Sequence, residues 1–277
     1  MSNKKVIAII ILATAGLCLA ALARAQLLSV RTRTSSLATR NRPSAIRGRA
    51  EMIPSQNSKQ DEPTEIQEGV LTDRQKAHSK LFKNYGVRNR GKKLKDTNSG
   101  DVSVTIGIGD SPLPRNFDLD KYLRDGVCTS DAVVIGTINK KSSQLVEDET
   151  FTFTEYDLTV EEVLKNSSVA PISVGNNLTV VRPGGTVKLN GRVMRAVDSS
   201  EKPLEVNGRV LLFLQYLPQT RTYESHLSDV GDMAFHIRGN QIFQVSEELL
   251  PFGKNRPVDL DSFLGRVRSS INGACSN

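Results

Sequence analysis

From Ala132 to Ser246 the chain strings strand-like runs together with no helical segment between consecutive strands. Parallel neighbours need a crossover of a dozen or more residues, usually a helix, so this order suits strands joined by short turns better than a βαβ sheet. AVVIGTINKK opens the series. TFTFTEYDLTVEEVL, from about Thr150 to Leu164, is the second run and is long. Its alternation changes parity: Phe151, Phe153 and Glu155 share one face, whereas Tyr156, Leu158, Val160 and Glu162 share the other. That switch predicts a bulge or bend at Glu155–Tyr156. Pro183-Gly184-Gly185 reads as a turn. Asn190-Gly191, between TVKL and RVMRAV, reads as a type I′ hairpin turn, because both positions tolerate positive φ. GRVLLFLQYLP is a continuous apolar run of strand length, expected to be buried on both faces. MAFHIRGNQIFQVS is a pair of short strands around Gly239-Asn240.

Helices flank this series. FDLDKYLRDG, ending at Gly126, reads as a short helix with Phe117, Tyr122 and Leu123 available for packing. VDLDSFLGRVRSSING places Leu260, Phe263, Leu264 and Val267 at helical spacing, with Asp259 or Asp261 at its start and Asn272-Gly273 at its end. Ahead of both, DVSVTIGIGD alternates as a strand. About five main strands in roughly 140 residues, several of them long and curved, suit a small closed or half-closed barrel. The expected fold is therefore mainly β, with the domain spanning 101–277.

The first hundred residues differ. Residues 26–100 carry 16 Lys+Arg against 7 Asp+Glu, and residues 101–277 carry 18 against 23. The basic character belongs to the arm and the domain is mildly acidic. Residues 26–70 are rich in Arg, Ser, Thr, Gln and Pro without periodicity, which reads as a disordered, solvated linker. LTDRQKAHSKLFKN, 71–84, is expected to form a short polar helix ended by Gly86. The arm's charge suits contact with an anionic surface. It lacks the interleaved aromatics of a nucleic-acid platform, so no nucleic-acid partner is expected.

Residues 1–25, MSNKKVIAIIILATAGLCLAALARA, have a basic start, an uncharged stretch 6–23 and a small-x-small site at Ala23-Arg24-Ala25. They read as a signal peptide cut after Ala25. The alternative is an uncleaved membrane anchor through 6–23. The arginines from Arg31 to Arg49 oppose export by the positive-inside rule. The small-x-small site favours export, to the secreted fraction or the periplasm and cell envelope.

Cys128-x-x-Asp-Ala-Val-Val-Ile opens the first strand, TFTEYDLTVEEVLKN runs into a Val-Leu-Lys-Asn corner, and Gly208-Arg-Val-Leu-Leu-Phe-Leu forms a fourth strand. A terminal helix ends near Cys275. Residues 120–277 so arranged resemble the netrin-type module of tissue inhibitors of metalloproteinases. That resemblance implies an OB-like five-stranded barrel with flanking helices, in which Cys128 and Cys275 are bridged. An even number of cysteines after signal removal fits such a bridge in an oxidising compartment, the alternative being two free thiols. The family's inhibitors act through a Cys-x-Cys amino terminus, and this chain has no Cys-x-Cys, so protease inhibition does not carry over from the resemblance. The run VVIGT…EEVLK…VVRPGG is also similar to exported bacterial proteins without an assigned activity.

Few residues suggest chemistry. His226 and His236 with Asp229 or Asp232 form a conceivable metal cluster but lack a close His pair or a CxxC. His78, His226 and His236 are expected to be structural or solvated. Ser225-His226 and Ser228-Asp229 are too close in sequence to form a relay, and no Gly-x-Ser-x-Gly elbow exists. Glu161 and Glu162 should point to opposite faces. Arg182-Pro183-Gly184-Gly185 lacks the lysine and helix of a P-loop. Asn166 and Asn177 head formal glycosylation sequons. The expected function is an exported, non-enzymatic binding module without metal or cofactor, its partner a protein or an envelope component. A protease inhibitor and an enzyme with an unrecognised site are the alternatives.

Overall fold

β-branched and aromatic residues dominate the apolar runs, and these form strands. The computed structural model describes residues 63–65, 71–88, 93–94, 102–106, 117–198, 201–225, 227–228, 231–245, 257–273 and 275, all within one unit, Asn57–Asn277. The segment expected to be a signal peptide, 1–25, the alternative anchor 6–23 and the start of the basic arm lie outside the described residues. In chain order the elements are β1 (Thr64–Glu65), α1 (Asp73–Arg88), β2 (Val102–Ile106), α2 (Leu119–Thr129), β3 (Ala132–Leu145), β4 (Thr152–Lys165), β5 (Asn177–Pro183), β6 (Gly185–Leu189), β7 (Arg192–Asp198), β8 (Arg209–Leu217), β9 (Thr222–Ser225), β10 (Leu227–Ser228), β11 (Gly231–Asp232), β12 (Ala234–Arg238), β13 (Gln241–Gln244), β14 (Val258–Asp259) and α3 (Leu260–Asn272). No described helix is long and apolar enough to cross a membrane.

The chain is mainly β, but its principal sheet has eight strands rather than five, in the order β14-β13-β12-β8-β3-β4-β5-β9. The added strands are β12, β13 and β14, which continue from β8. One edge of β8 serves two neighbours: Arg209–Leu212 pair with β12 and Leu214–Leu217 pair with β9. Its other edge pairs with β3. Hydrogen bonding therefore runs from β8 through β3, β4 and β5 to β9 and back to β8, with β5–β9 the one parallel step.

β8 is buried on both faces as its composition requires, with Val210 to Leu214 all shut from solvent. Leu211 and Phe213 join Val133 and Ile135 beneath α2 and α3. Val210, Leu212 and Leu214 face Val134, Leu158 and Val180 on the opposite side. α3 buries Leu260, Phe263, Leu264 and Val267 and starts at Asp259, whose carboxylate accepts from the Ser262 N–H. α2 starts at Asp118, which accepts from Asp120 and Lys121. It runs on to Thr129 rather than ending at Gly126. Gly126 is where the helix crosses Met233; a Cβ there would stand 2.1 Å from the Met233 methyl.

The expected bulge at Glu155–Tyr156 is absent. β4 pairs with β5 without a break from Phe153 to Thr159. The parity of the apolar positions changes because both faces of β4 are covered in turn. Phe153 lies under α1, in a cluster with Phe82, Val181 and Leu217, and Tyr156, Leu158 and Val160 face the other cluster. The irregularities lie between β3 and β4 instead, where Asn139, Glu161 and Leu164 are the extra residues. Gly136 sits at one of them, where a Cβ would stand 2.4 Å from the Thr159 carbonyl.

A second sheet, in the order β1-β6-β7-β2, is built on the predicted hairpin. Asn190 and Gly191 have φ of 51° and 79°, as a type I′ turn demands. Gly184 alone separates β5 from β6, so Pro183-Gly184-Gly185 is a corner by which the chain leaves one sheet for another. β1 and β2, from the region ahead of the main sheet, pair in parallel with β6 and β7. The helix expected at 71–84 is present and continues to Arg88 past Gly86. It is seated on the sheet, with Phe82 stacked on Phe153 at 5.8 Å and Tyr85 on Phe151 at 5.3 Å. The boundary expected at residue 101 therefore does not separate α1 from the sheet.

Candidate functional site

Two buried polar clusters and one disulfide hold most of the chemistry-bearing side chains. The first centres on Arg182, the last but one residue of β5, which is 1% exposed. Its guanidinium donates to both oxygens of Asp232, at 3.1 and 2.5 Å, to Ser225 Oγ at 2.8 Å and to the Lys202 carbonyl at 3.0 Å. Glu201 lies 4.0 Å away. Arg182 Nε has no hydrogen-bond partner. Burial works against the guanidinium's charge, but Asp232 and Glu201 outweigh it and hold the Arg182 pKa above its usual value. Burial also raises Glu201, assisted by Asp232 and Asp198 and opposed by Arg182, to about 8. Burial raises Asp232 as well, opposed by Arg182 and by its hydrogen bonds from Arg182 and Ser225; of the two acids Asp232 is the one in direct contact with the guanidinium. Such a pair is costly to break, because either partner alone would be a buried, uncompensated charge. It pins β5 to β9 and β11. The corner at Gly184 is part of the same construction: Gly185 has φ of 146°, and a Cβ there would lie 2.3 Å from Thr154 Oγ1.

The second cluster joins α1 to the sheet. His78, fully buried, lies 2.7 Å through Nδ1 from Glu155 Oε1 and 2.8 Å through Nε2 from Thr222 Oγ1. Arg74 donates to the other Glu155 oxygen at 3.0 Å. Burial pushes the Glu155 carboxyl up, but the hydrogen bonds from His78 and Arg74 outweigh it and hold it below its ordinary value. A hydroxyl, an imidazole and a carboxylate in this order match the connectivity of a nucleophilic relay. Thr222 is 2% exposed, however, and the helix that supplies His78 also closes the cluster over. The arrangement seats α1: Ser79 Oγ accepts from the Glu147 N–H beside it at 2.6 Å, and Phe82 packs next to it.

Cys128, near the end of α2, is bonded to Cys275, 147 residues later and just beyond α3. Lys165 at the end of β4 reaches the Val127 and Ser130 carbonyls at 2.6 and 2.5 Å, supplying donors to the end of α2 next to Cys128. Burial pulls the Lys165 ammonium below its ordinary pKa, against the pull of Asp131.

The other residues singled out by sequence are dispersed. His236 is in β12, where burial lowers its pKa; Asp232 bonds Arg182 and Ser225 instead. His226 and Asp229 lie outside the described residues. Among the described residues, no three of His, Cys, Asp and Glu are grouped to hold a metal. Ser225 is in the Arg182 cluster and hydrogen-bonds Asp232 at 3.2 Å. Glu161 pairs with Arg209 and Glu162 with Arg268, so the adjacent carboxylates part as expected. Of the two sequons, Asn166 has its amide engaged on both sides by Ile172, and Asn177 accepts from Thr159 at a strand start.

Sequence reasoning missed the roles of Arg182, His78 and Glu155. One signal was present: Glu155 shares its strand face with Phe151 and Phe153, and a carboxylate in such company needs a buried partner. No known family model matches the chain, and no curated protein matches it.

Proposed function

We propose that this chain is an exported, non-enzymatic interaction module built on an OB-like five-stranded barrel of the netrin type. The pairing circuit β3-β4-β5-β9-β8 supports the barrel reading, with β12 to β14 as an extension and α2 and α3 as the flanking helices. The observation that carries the functional reading is the Cys128–Cys275 bond between the two helical segments, which suits an oxidising compartment. The buried positions of Arg182, Asp232, His78 and Glu155 favour a scaffold role for the polar clusters over catalysis. The partner is a protein or an envelope component, and the basic arm adds contact with an anionic surface. Fractionation with N-terminal sequencing and intact-mass measurement tests this. A mature chain starting at Gln26, outside the cytoplasm and two hydrogens lighter than the reduced form, is expected. A cytoplasmic chain with two thiols open to alkylation would refute export.

A further inference from the structure

The cluster that seats α1 ends in a chain of hydroxyls. His78, fully buried, lies between Glu155 and Thr222. Thr222 Oγ1 is in turn 2.7 Å from Thr220 Oγ1, and the Thr220 hydroxyl reaches the Leu217 carbonyl at 3.4 Å. Thr222 is shut from solvent and Thr220 is half-buried, so the chain leads from the imidazole toward the surface. Glu155 from β4 is the acid at His78, and the half-exposed Arg74 from α1 is the base that shares it. β9 presents the Thr222 hydroxyl to the ring, and β4 adds the Phe153 ring edge-on at 6.2 Å.

This chain has two complete hydrogen-bonded states. Ionised Glu155 only accepts, so His78 Nδ1 carries a proton in both. With His78 neutral, Nε2 accepts the Thr222 hydroxyl and Thr222 Oγ1 accepts the Thr220 hydroxyl. With His78 charged, Nε2–H donates to Thr222, Thr222 donates to Thr220, and Thr220 donates to the Leu217 carbonyl. The same heavy atoms serve both states, and the hydroxyl rotors alone turn. A third state lacks this balance. Once Glu155 is protonated as well, His78 and Arg74 are two cations without their anion, and the buried one is costly to hold. Burial raises the Glu155 carboxyl, and the hydrogen bonds from His78 and Arg74 that outweigh it confine this third state to acid conditions.

We infer that α1 is an acid-released latch with two proton steps. The seat accepts a first proton on His78 by reversing the Thr222–Thr220 hydroxyl chain and stays closed. A second proton, on Glu155, opens it, and α1 leaves the apolar face of Phe151, Phe153, Val181 and Leu217. Apolar packing alone would not respond to pH. A seat that ended at Thr222 would respond too early, because the Thr222 hydroxyl would become a buried donor without an acceptor as soon as Nε2–H donated to it. Thr220 removes that early response, so the latch stays closed until Glu155 is protonated. The latch is a property of the fold and does not depend on the interaction-module reading.

The test follows the full oxidised chain from about pH 8 to about pH 3. Ring carbon resonances report the proton on His78. Amide exchange, corrected for its intrinsic pH dependence, reports the opening of α1. In the wild type His78 should titrate with α1 protection unchanged within about twofold, and α1 should then open at lower pH, before β8 loses protection. Thr220→Val should leave α1 protection unchanged while His78 is neutral and lower it about fivefold once His78 is charged, the worth of one hydrogen bond. Thr220→Ser should restore it. Glu155→Gln should open α1 in step with His78's own titration. Four results would each overturn the latch: α1 opening with the His78 titration in the wild type, an imidazole that stays neutral until α1 is lost, loss of α1 and β8 together, or a Thr220→Val effect equal at every pH. Should Thr220→Val fail to fold, the wild type and Glu155→Gln decide between the same outcomes.

Discussion

Glu201→Gln should stabilise the protein at neutral and alkaline pH, and by an amount that depends on pH. Glu201 is 5% exposed, 4.0 Å from Arg182, and its carboxyl titrates at about 8 against an ordinary 4.5. The folded chain keeps this proton where the unfolded chain has released it. Stability from Glu201 is therefore fully present below about pH 4.5, declines as pH rises, and levels off above about pH 8. The slope is about 1.4 kcal/mol per pH unit, so the total across the window is on the order of 5 kcal/mol. Glutamine has the shape of the protonated acid and cannot ionise. Urea unfolding of both proteins from pH 4 to 9, with the disulfide intact, should give curves that meet near pH 4 and diverge to pH 8, the variant being the more stable. Parallel curves, or a less stable variant at pH 8, would refute the reasoning. Either result would mean that Glu201 is ionised in the fold and works as a counter-ion to Arg182.

Removing the disulfide with Cys128→Ser and Cys275→Ser should cost about 4–5 kcal/mol by loop entropy for 147 residues, read as a shift in the urea midpoint; an unchanged midpoint would show that the bond is not formed in solution. Gly185→Ala should cost about 2–4 kcal/mol, because the new methyl meets Thr154 and Ser143 and the backbone stands at φ 146°; calorimetry that finds it neutral would mean that the corner relaxes freely. His78→Ala should cost about 3 kcal/mol by leaving Glu155 with Arg74 alone, and hydrogen exchange should rise first in α1 and β9. Since Glu155 is held below its ordinary pKa, the seating of α1 should be complete above the usual carboxylate range. It should be lost as pH falls through the lower folded value, and acid-induced exchange in α1 that is the same in the wild type and in Glu155→Gln would contradict this.

Local signals carried much of this architecture. The apolar period of α3, the Asn190-Gly191 turn, the unbroken run of β8 and the pairing of two distant cysteines were legible because each is written in neighbouring residues or in a count of two. β9, by contrast, is four residues, TYES, with little alternation to mark it, yet it closes the pairing circuit. α1 reads as a polar linker helix, since its seating depends on His78, Ser79 and Phe82 among many exposed polar neighbours. Its partners Glu155 and Thr222 lie 77 and 144 residues away. Arg182 was legible only as part of a turn, because Ser225 and Asp232, which define its role, lie 43 and 50 residues further on. The parity change in β4 reads as a bulge or bend; it reports instead which face is covered, and one strand's pattern does not distinguish the two.

The attachment of residues 63–106 has a mechanical side. β1, α1 and β2 come in that chain order, and each holds a different site: β6, the face of β4, and β7. A pull on the basic arm would meet them one after another. The two-residue pairing of β1 would be loaded first, then the seat of α1 on the larger sheet, then the five-residue pairing of β2. A domain tethered through this arm would thus carry load at three attachments in series, all of them ahead of the disulfide-bonded segment 128–275.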